Sequence, residues 1–310
     1  MMYRVCAVFL LFLAGVFYWR CTREDNSLVL APQQCATENS EFQNQVPVVI
    51  NGYSGHAMEP FIARDESYLF FNSLNDGADT SIYYASRVSD TVFTSNGKLN
   101  GVNGVPPHLD AVPSMDTDLQ FYFISTRSYP ASYKNVFTGI FSSGGVTPAP
   151  AAVDGDFYID KTGWIIMDGE VSPSGDDLYY VNALFTGSSM PRTAKIGIAS
   201  WSSTDSSFHR KTNSDLIMSN VNSDGCLDYA PSISQDGKEL FFTRYCLGSG
   251  NPSILVAKRA STAEAFGAPA CIGVLKGYFV EAPSLSYDGK RMYYHRRDNG
   301  VFSVYMVSRP

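Results

Sequence analysis

Charge is scarce in this sequence. Only 17% of its 310 residues are charged, and 30 acidic residues outnumber 23 basic ones for a formal net charge of −7. The Lys and Arg residues form no cluster, which excludes the counterion-releasing grip that nucleic acid requires. Several catalytic signatures are missing as well: the chain has no Gly-x-Ser-x-Gly elbow, no His-Glu-x-x-His pair and no phosphate-cradling Gly loop. It has no Cys-x-x-Cys, which argues against a zinc knuckle or a thioredoxin-like site. Convincing 3.6-residue periodicity is absent after the N-terminus.

What is abundant points to β-structure. The 19 Tyr and 20 Phe recur in short runs with Val and Ile, broken by Gly, Pro, Asp and Ser. The first twenty residues stand apart, with Arg4 followed by the apolar run from Val5 to Trp19. That run falls short of the about 20 residues a bilayer span needs and fits the core of a signal peptide, with an uncleaved signal anchor as the alternative. Residues 1–20 are therefore read as an export leader, 21–44 as a linker and 45–310 as the folded domain. Cys21 is poorly placed for lipidation, because Phe17, Tyr18, Trp19 and Arg20 precede it where small residues are normal. An exported chain is expected in the periplasm, outside the cell or anchored in a membrane, touching lipid only through the leader. Export permits disulfides. Cys35, Cys226, Cys246 and Cys271 allow three pairings, and their positions favour Cys226 with Cys246 and Cys35 with Cys271.

Internal repetition is the strongest signal. The stretch Tyr229-Ala230-Pro231-Ser232-Ile233-Ser234-Gln235-Asp236-Gly237-Lys238 returns as Glu281-Ala282-Pro283-Ser284-Leu285-Ser286-Tyr287-Asp288-Gly289-Lys290, and each runs on into an aromatic strand. More worn copies surround Pro60, Pro113 and Gly169. These five markers are spaced by 53, 56, 62 and 52 residues, as expected when each repeat is one four-stranded propeller blade with variable loops. Each repeat reads as an inner strand, a tight Asp-Gly turn, a second strand and a third. The chain ends 27 residues past its last marker, which leaves the fifth blade one strand short. Val49-Ile50-Asn51-Gly52-Tyr53 resembles Val274-Leu275-Lys276-Gly277-Tyr278, so residues near Val48 to Ile50 are expected to supply the missing strand and remove an open sheet edge. The expected fold is an all-β, five-bladed propeller closed by its own N-terminal strand.

The Ala-Pro-Ser-x-Ser-x-Asp-Gly-Lys pattern resembles the WD40-like repeat of the TolB propeller family. The resemblance covers roughly residues 45–310, with strong matches in the last two blades. It implies a propeller but no single activity. The six blades and extra N-terminal domain of TolB itself have no counterpart here.

In a propeller the first strands line the central channel, and acids recur beside the markers: Glu59, Asp110, Asp168, Glu170, Asp228 and Glu281. On regular strands the odd offsets from the markers place all but Glu281 on one face, and Glu281 points away unless a bulge intervenes. Three roles suit such acids: pairing with backbone N–H groups and Arg at blade junctions, binding a ligand at the channel mouth, or glycoside hydrolysis with Glu59, Asp110 and Glu170 as candidates. No cofactor is expected, Ca²⁺ being the cation that clustered carboxylates would suit. His56 and His108 are weak metal candidates, since no third ligand is apparent. Arg127, Arg244 and Arg296, at the ends of second strands, are expected to pair with acids. Trp164 and Trp201 are candidates for stacking a sugar, although aromatics of this size more often pack blade on blade. The leading expectation is a non-enzymatic exported propeller that binds a protein or a glycan at one face of the ring. A five-bladed glycosidase is the alternative.

Overall fold

A computed structural model describes residues 34–77 and 79–310. The leader and Cys21 lie outside the described residues, among which no helix is long and apolar enough to cross a membrane. Among the described residues five sheets follow one another along the chain, each built on four antiparallel strands. Their inner strands are Met58–Ile62, Asp110–Met115, Trp164–Val171, Cys226–Ile233 and Val280–Leu285. Each touches the next, and the fifth touches the first. That closed cycle is the ring.

The second and third strands carry the aromatic runs, whose alternate residues face opposite neighbours. In Phe70-Phe71, for example, Phe70 packs with Phe121 and Phe123 of the second blade, whereas Phe71 packs with Tyr293 of the fifth. Five apolar clusters of this kind fill the five gaps between blades. Full burial of one such ring contributes roughly 1.5–3 kcal/mol, so the gaps, rather than any central core, hold the molecule together.

Closure occurs slightly upstream of its expected position. Gln43–Pro47 is the outer strand of blade five, with Val46 opposite Met306 and Pro47 opposite Tyr305. The N–H of Val48 still reaches the carbonyl of Val304 at 2.9 Å, after which the chain crosses to blade one. Val49–Asn51 therefore runs parallel to Val92–Thr94 as a fifth strand of that blade. Glu38–Asn39 does the same for blade four against Cys271 and Ile272. Of the segment 21–44 expected as a linker, the part from Gln34 on is thus bound to the ring. Gln34 donates to the carbonyls of Arg244 and Asn251, and the disulfide Cys35–Cys271 secures the same end. One N-terminal strap spans the outer edges of blades four, five and one. The second disulfide joins Cys226 to Cys246, which are opposite each other on paired strands.

The repeat's turn is longer than the two residues expected. Strands Cys226–Ile233 and Glu239–Cys246 are joined by five residues, with Gly237 at φ +68°. Ser234 organises the loop: its Oγ accepts from the N–H groups of Lys238 and Glu239 and donates to Asp236. Ser286, Asp288 and Gly289 repeat the arrangement in blade five.

Every inner strand has a bulge just before its marker. Register shifts fall between Met58 and Phe61, Ala111 and Ser114, Ile166 and Asp168, Tyr229 and Ser232, and Glu281 and Ser284. In four blades the residue preceding the marker proline is left-handed although it is not glycine: Glu59, Val112, Ala230 and Ala282 have φ between +49° and +55°. Such a conformation costs about 1–2 kcal/mol, so something must hold it. The neighbouring blade does. The freed N–H groups of Glu59, Val112 and Ala282 donate to His295, Asn72 and Thr243, which occupy one repeat position on the second strands. Ala230 donates to Asp168 instead.

A second set of blade-to-blade bonds explains the serine after the proline. Ser114, Ser232 and Ser284 accept from the N–H groups of Val171, Leu285 and Ile62 in the next blade, each at 3.0 Å. Blade three has Glu170 at that position, and its Oε1 accepts from Ile233 N–H at 3.0 Å.

Candidate functional site

The bulges redistribute the acids. Because one extra residue flips every side chain that follows it, offset from the marker does not indicate which way an acid faces. Asp110 and Asp228 turn into the protein. Asp228 is fully buried, 2.6 Å from Arg244 Nε, and its other oxygen accepts from Ser223 N–H. Asp110 repeats this in blade two with Arg127 at 2.6 Å and Gly104 N–H at 2.6 Å. Arg296 pairs with Asp298 and reaches Gln45 in the closing strand. Glu170 is buried against Arg64 at 3.2 Å, and burial holds its carboxyl above the usual range despite that partner.

The remaining three acids converge. Glu59, Asp168 and Glu281 line one cavity of about 510 Å³ at a mouth of the channel. Glu281, placed on the far face by simple alternation, is brought there by the bulge that follows it. Its Oε1 accepts from the hydroxyl of Tyr229, and its Oε2 lies 3.0 Å from His295 Nε2. Since His295 Nδ1 accepts the Glu59 N–H, the ring proton lies on Nε2 and is donated to Glu281. The imidazole is neutral in this arrangement. Glu59 Oε1 accepts from Asn75 at 2.8 Å, while Oε2 is shielded from solvent and has no hydrogen-bond partner among the described residues.

Among the described residues, no Lys or Arg lines this cavity. Burial, followed by the nearby charge of Asp168, raises the Glu59 carboxyl to about 8. Burial and the charge of Glu281 raise Asp168 to about 7, against an N–H bond from Ala230 that pulls the other way. At neutral pH the floor therefore holds protons that ordinary carboxylates would have lost. Much of the lining is apolar, contributed by Met58, Leu109, Met167, Leu227, Phe185, Met190 and Phe279. Met190 is 44% exposed, as is Leu247 at 68% in the loop that also provides Gly250 and Pro252 to the wall.

The other candidates lie elsewhere. His56 Nδ1 accepts from Phe302 N–H at 3.2 Å, and His108 precedes the inner strand of blade two. No group of three His, Cys, Asp or Glu side chains suited to a metal occurs among the described residues. Trp201 stacks edge-on against Phe208 in blade three, and neither it nor Trp164 lines the mouth. Sequence reasoning missed Tyr229, His295 and Asn75. His295 carried a signal, since it shares its repeat position with Asn72 and Thr243.

No protein-family model and no curated protein matches the sequence. Solved structures do. A glycoside hydrolase aligns over 88% of this chain and 93% of its own at 10% identity, with a TM-score of 0.57. The catalytic domain of a GH62 α-L-arabinofuranosidase from Coprinopsis cinerea aligns over 88% and 98% at 11% identity, with a TM-score of 0.55. TolB from Acinetobacter baumannii aligns over 83% of this chain at 16% identity with a TM-score of 0.43, and the match spans only 55% of that protein. The chain is a five-bladed β-propeller. At such identities the likeness extends to the fold alone.

Proposed function

We propose that this is an exported, non-catalytic propeller that seats a partner protein on the mouth floored by Glu59, Asp168 and Glu281. The observation that carries this reading is the cavity of about 510 Å³, apolar along its walls and continuous with exposed Met190 at its rim. An apolar rim around a concave centre is a surface that a protein covers. A sugar would leave methionine and phenylalanine walls facing its hydroxyl groups. Two of the three acids considered for glycoside cleavage are already occupied, Asp110 by Arg127 and Glu170 by Arg64, and neither lines the mouth. Two disulfides agree with export to an oxidising compartment.

A photo-crosslinking residue at Met190 should capture a discrete partner in the native envelope or medium, whereas the same residue at exposed Ile140, which lines a separate depression with Leu119 and Phe141, should not. Cleavage of any member of a broad glycan panel, lost in Glu59→Gln, would replace this reading with an enzymatic one.

A further inference from the structure

Three features of the mouth specify the chemistry of its occupant beyond its being a protein. First, the cavity gathers three carboxyl groups with no Lys or Arg among the described residues, and its histidine donates from Nε2 to Glu281. Second, Glu59 Oε2 is withdrawn from solvent and lacks a partner, an arrangement that is costly unless a proton or an incoming donor occupies it. Third, these acids share their cavity with Met58, Met167, Leu109 and Leu227, whose side chains offer contact to an alkyl chain.

Resting on the reading above, we infer that the mouth is a receptor for an alkylammonium group, a primary ammonium on a straight apolar stem such as a lysine side chain of the partner, seated among Glu59, Asp168 and Glu281. A guanidinium suits the site less well, because it seeks two oxygens of one carboxylate in its own plane. Glu281 has already committed both oxygens, to Tyr229 and His295, and Asp168 has committed one to Ala230. What remains are single acceptors on separate carboxyls, which a compact donor with three divergent N–H groups can use. The titratable groups around the cavity are Glu59, Asp168, Glu281, Tyr229, Tyr245 and His295. A bound cation lowers the pKa of Glu59 and Asp168, so it enters in exchange for their protons and binds more tightly as pH rises.

The test uses the full chain with ¹³C-methyl methionine and four probes: n-hexylammonium, n-butylguanidinium, n-hexanol and hexanoate. Hexylammonium should shift the Met58 and Met167 methyl signals, with affinity rising about tenfold or more between pH 6 and pH 8.5, as expected when at least one proton is displaced. Calorimetry in buffers of different ionisation enthalpy should show that proton release. Butylguanidinium should bind less tightly, hexanoate should not bind, and Glu59→Gln with Asp168→Asn should abolish the pH dependence. Equal affinity for hexanol, or a flat pH profile for hexylammonium, overturns the inference. If hexylammonium fails while Met190 still cross-links to a partner, this inference falls and the docking reading stands. If hexylammonium binds and no cross-link forms, the reverse holds.

Discussion

At the scale of single residues, the same type of side chain does opposite work according to what the bulge lets it face. Asp228 has Arg244, and the guanidinium side chain is only 8% exposed. Arg244→Met should therefore leave a buried carboxylate alone and cost about 3–5 kcal/mol in urea unfolding, with part of that loss recovered in the double variant carrying Asp228→Asn. Arg127→Met should cost less, since the Arg127 side chain is 23% exposed and water can replace it beside Asp110. Glu59 behaves in the contrary sense. Its folded pKa of about 8 lies above the value near 4 of an unfolded chain, so its contribution to stability is complete below the unfolded value and is lost as pH rises through 8. Asp168 follows the same sign through about 7. Glu59→Gln should consequently gain stability over the natural chain as pH rises from 5 to 8.5, by about 1–3 kcal/mol at the upper end. A difference that shrinks with pH would contradict this assignment. The Arg partners of Asp110 and Asp228 were legible from their place at the ends of second strands. The fate of Glu281 was not, because nothing in Tyr229-Ala230-Pro231 or Glu281-Ala282-Pro283 shows that an alanine will take a left-handed conformation.

At the scale of elements, aromatic runs, proline markers and cysteine positions determined most of what could be read in advance. The strand pattern and both disulfides follow from them. The exact start of the closing strand did not, since Val46 and Ile50 are equally plausible strand residues and only the crossing at Val48 separates their partners. Likewise the Asp-Gly pair signalled a turn but not its length, which Ser234 and Ser286 set through their hydroxyl bonds. Since the strap is held at blade four by Cys35–Cys271 and at blade five by strand pairing, the two attachments should be separable. Replacing both cysteines by serine should cost about 2–4 kcal/mol. Amide exchange should accelerate around Glu38 and Asn39 while Tyr305 and Met306 stay protected by Val46 and Pro47. Loss of protection across all of blade five would show that the strap folds as one unit.

For the molecule as a whole, the five-fold count was visible in the marker spacings, whereas the mouth emerged only when loops from different blades met in space. Asn75, Met190 and Pro252 come from blades one, three and four and share no motif. With a net charge of −7 and acids at the centre of the proposed docking face, association with a basic partner should slow and weaken as salt rises from 0.05 to 0.5 M, as surface plasmon resonance would show. A salt-independent on-rate would mean that the apolar rim alone guides docking. The bond between Cys35 and Cys271 has one further consequence: it joins residues 236 positions apart in sequence into a single covalent loop. A protease that cuts once within that span creates new chain ends but no separate fragment. Such nicked molecules would migrate as one species until a reductant is added, and would be overlooked wherever integrity is judged without one.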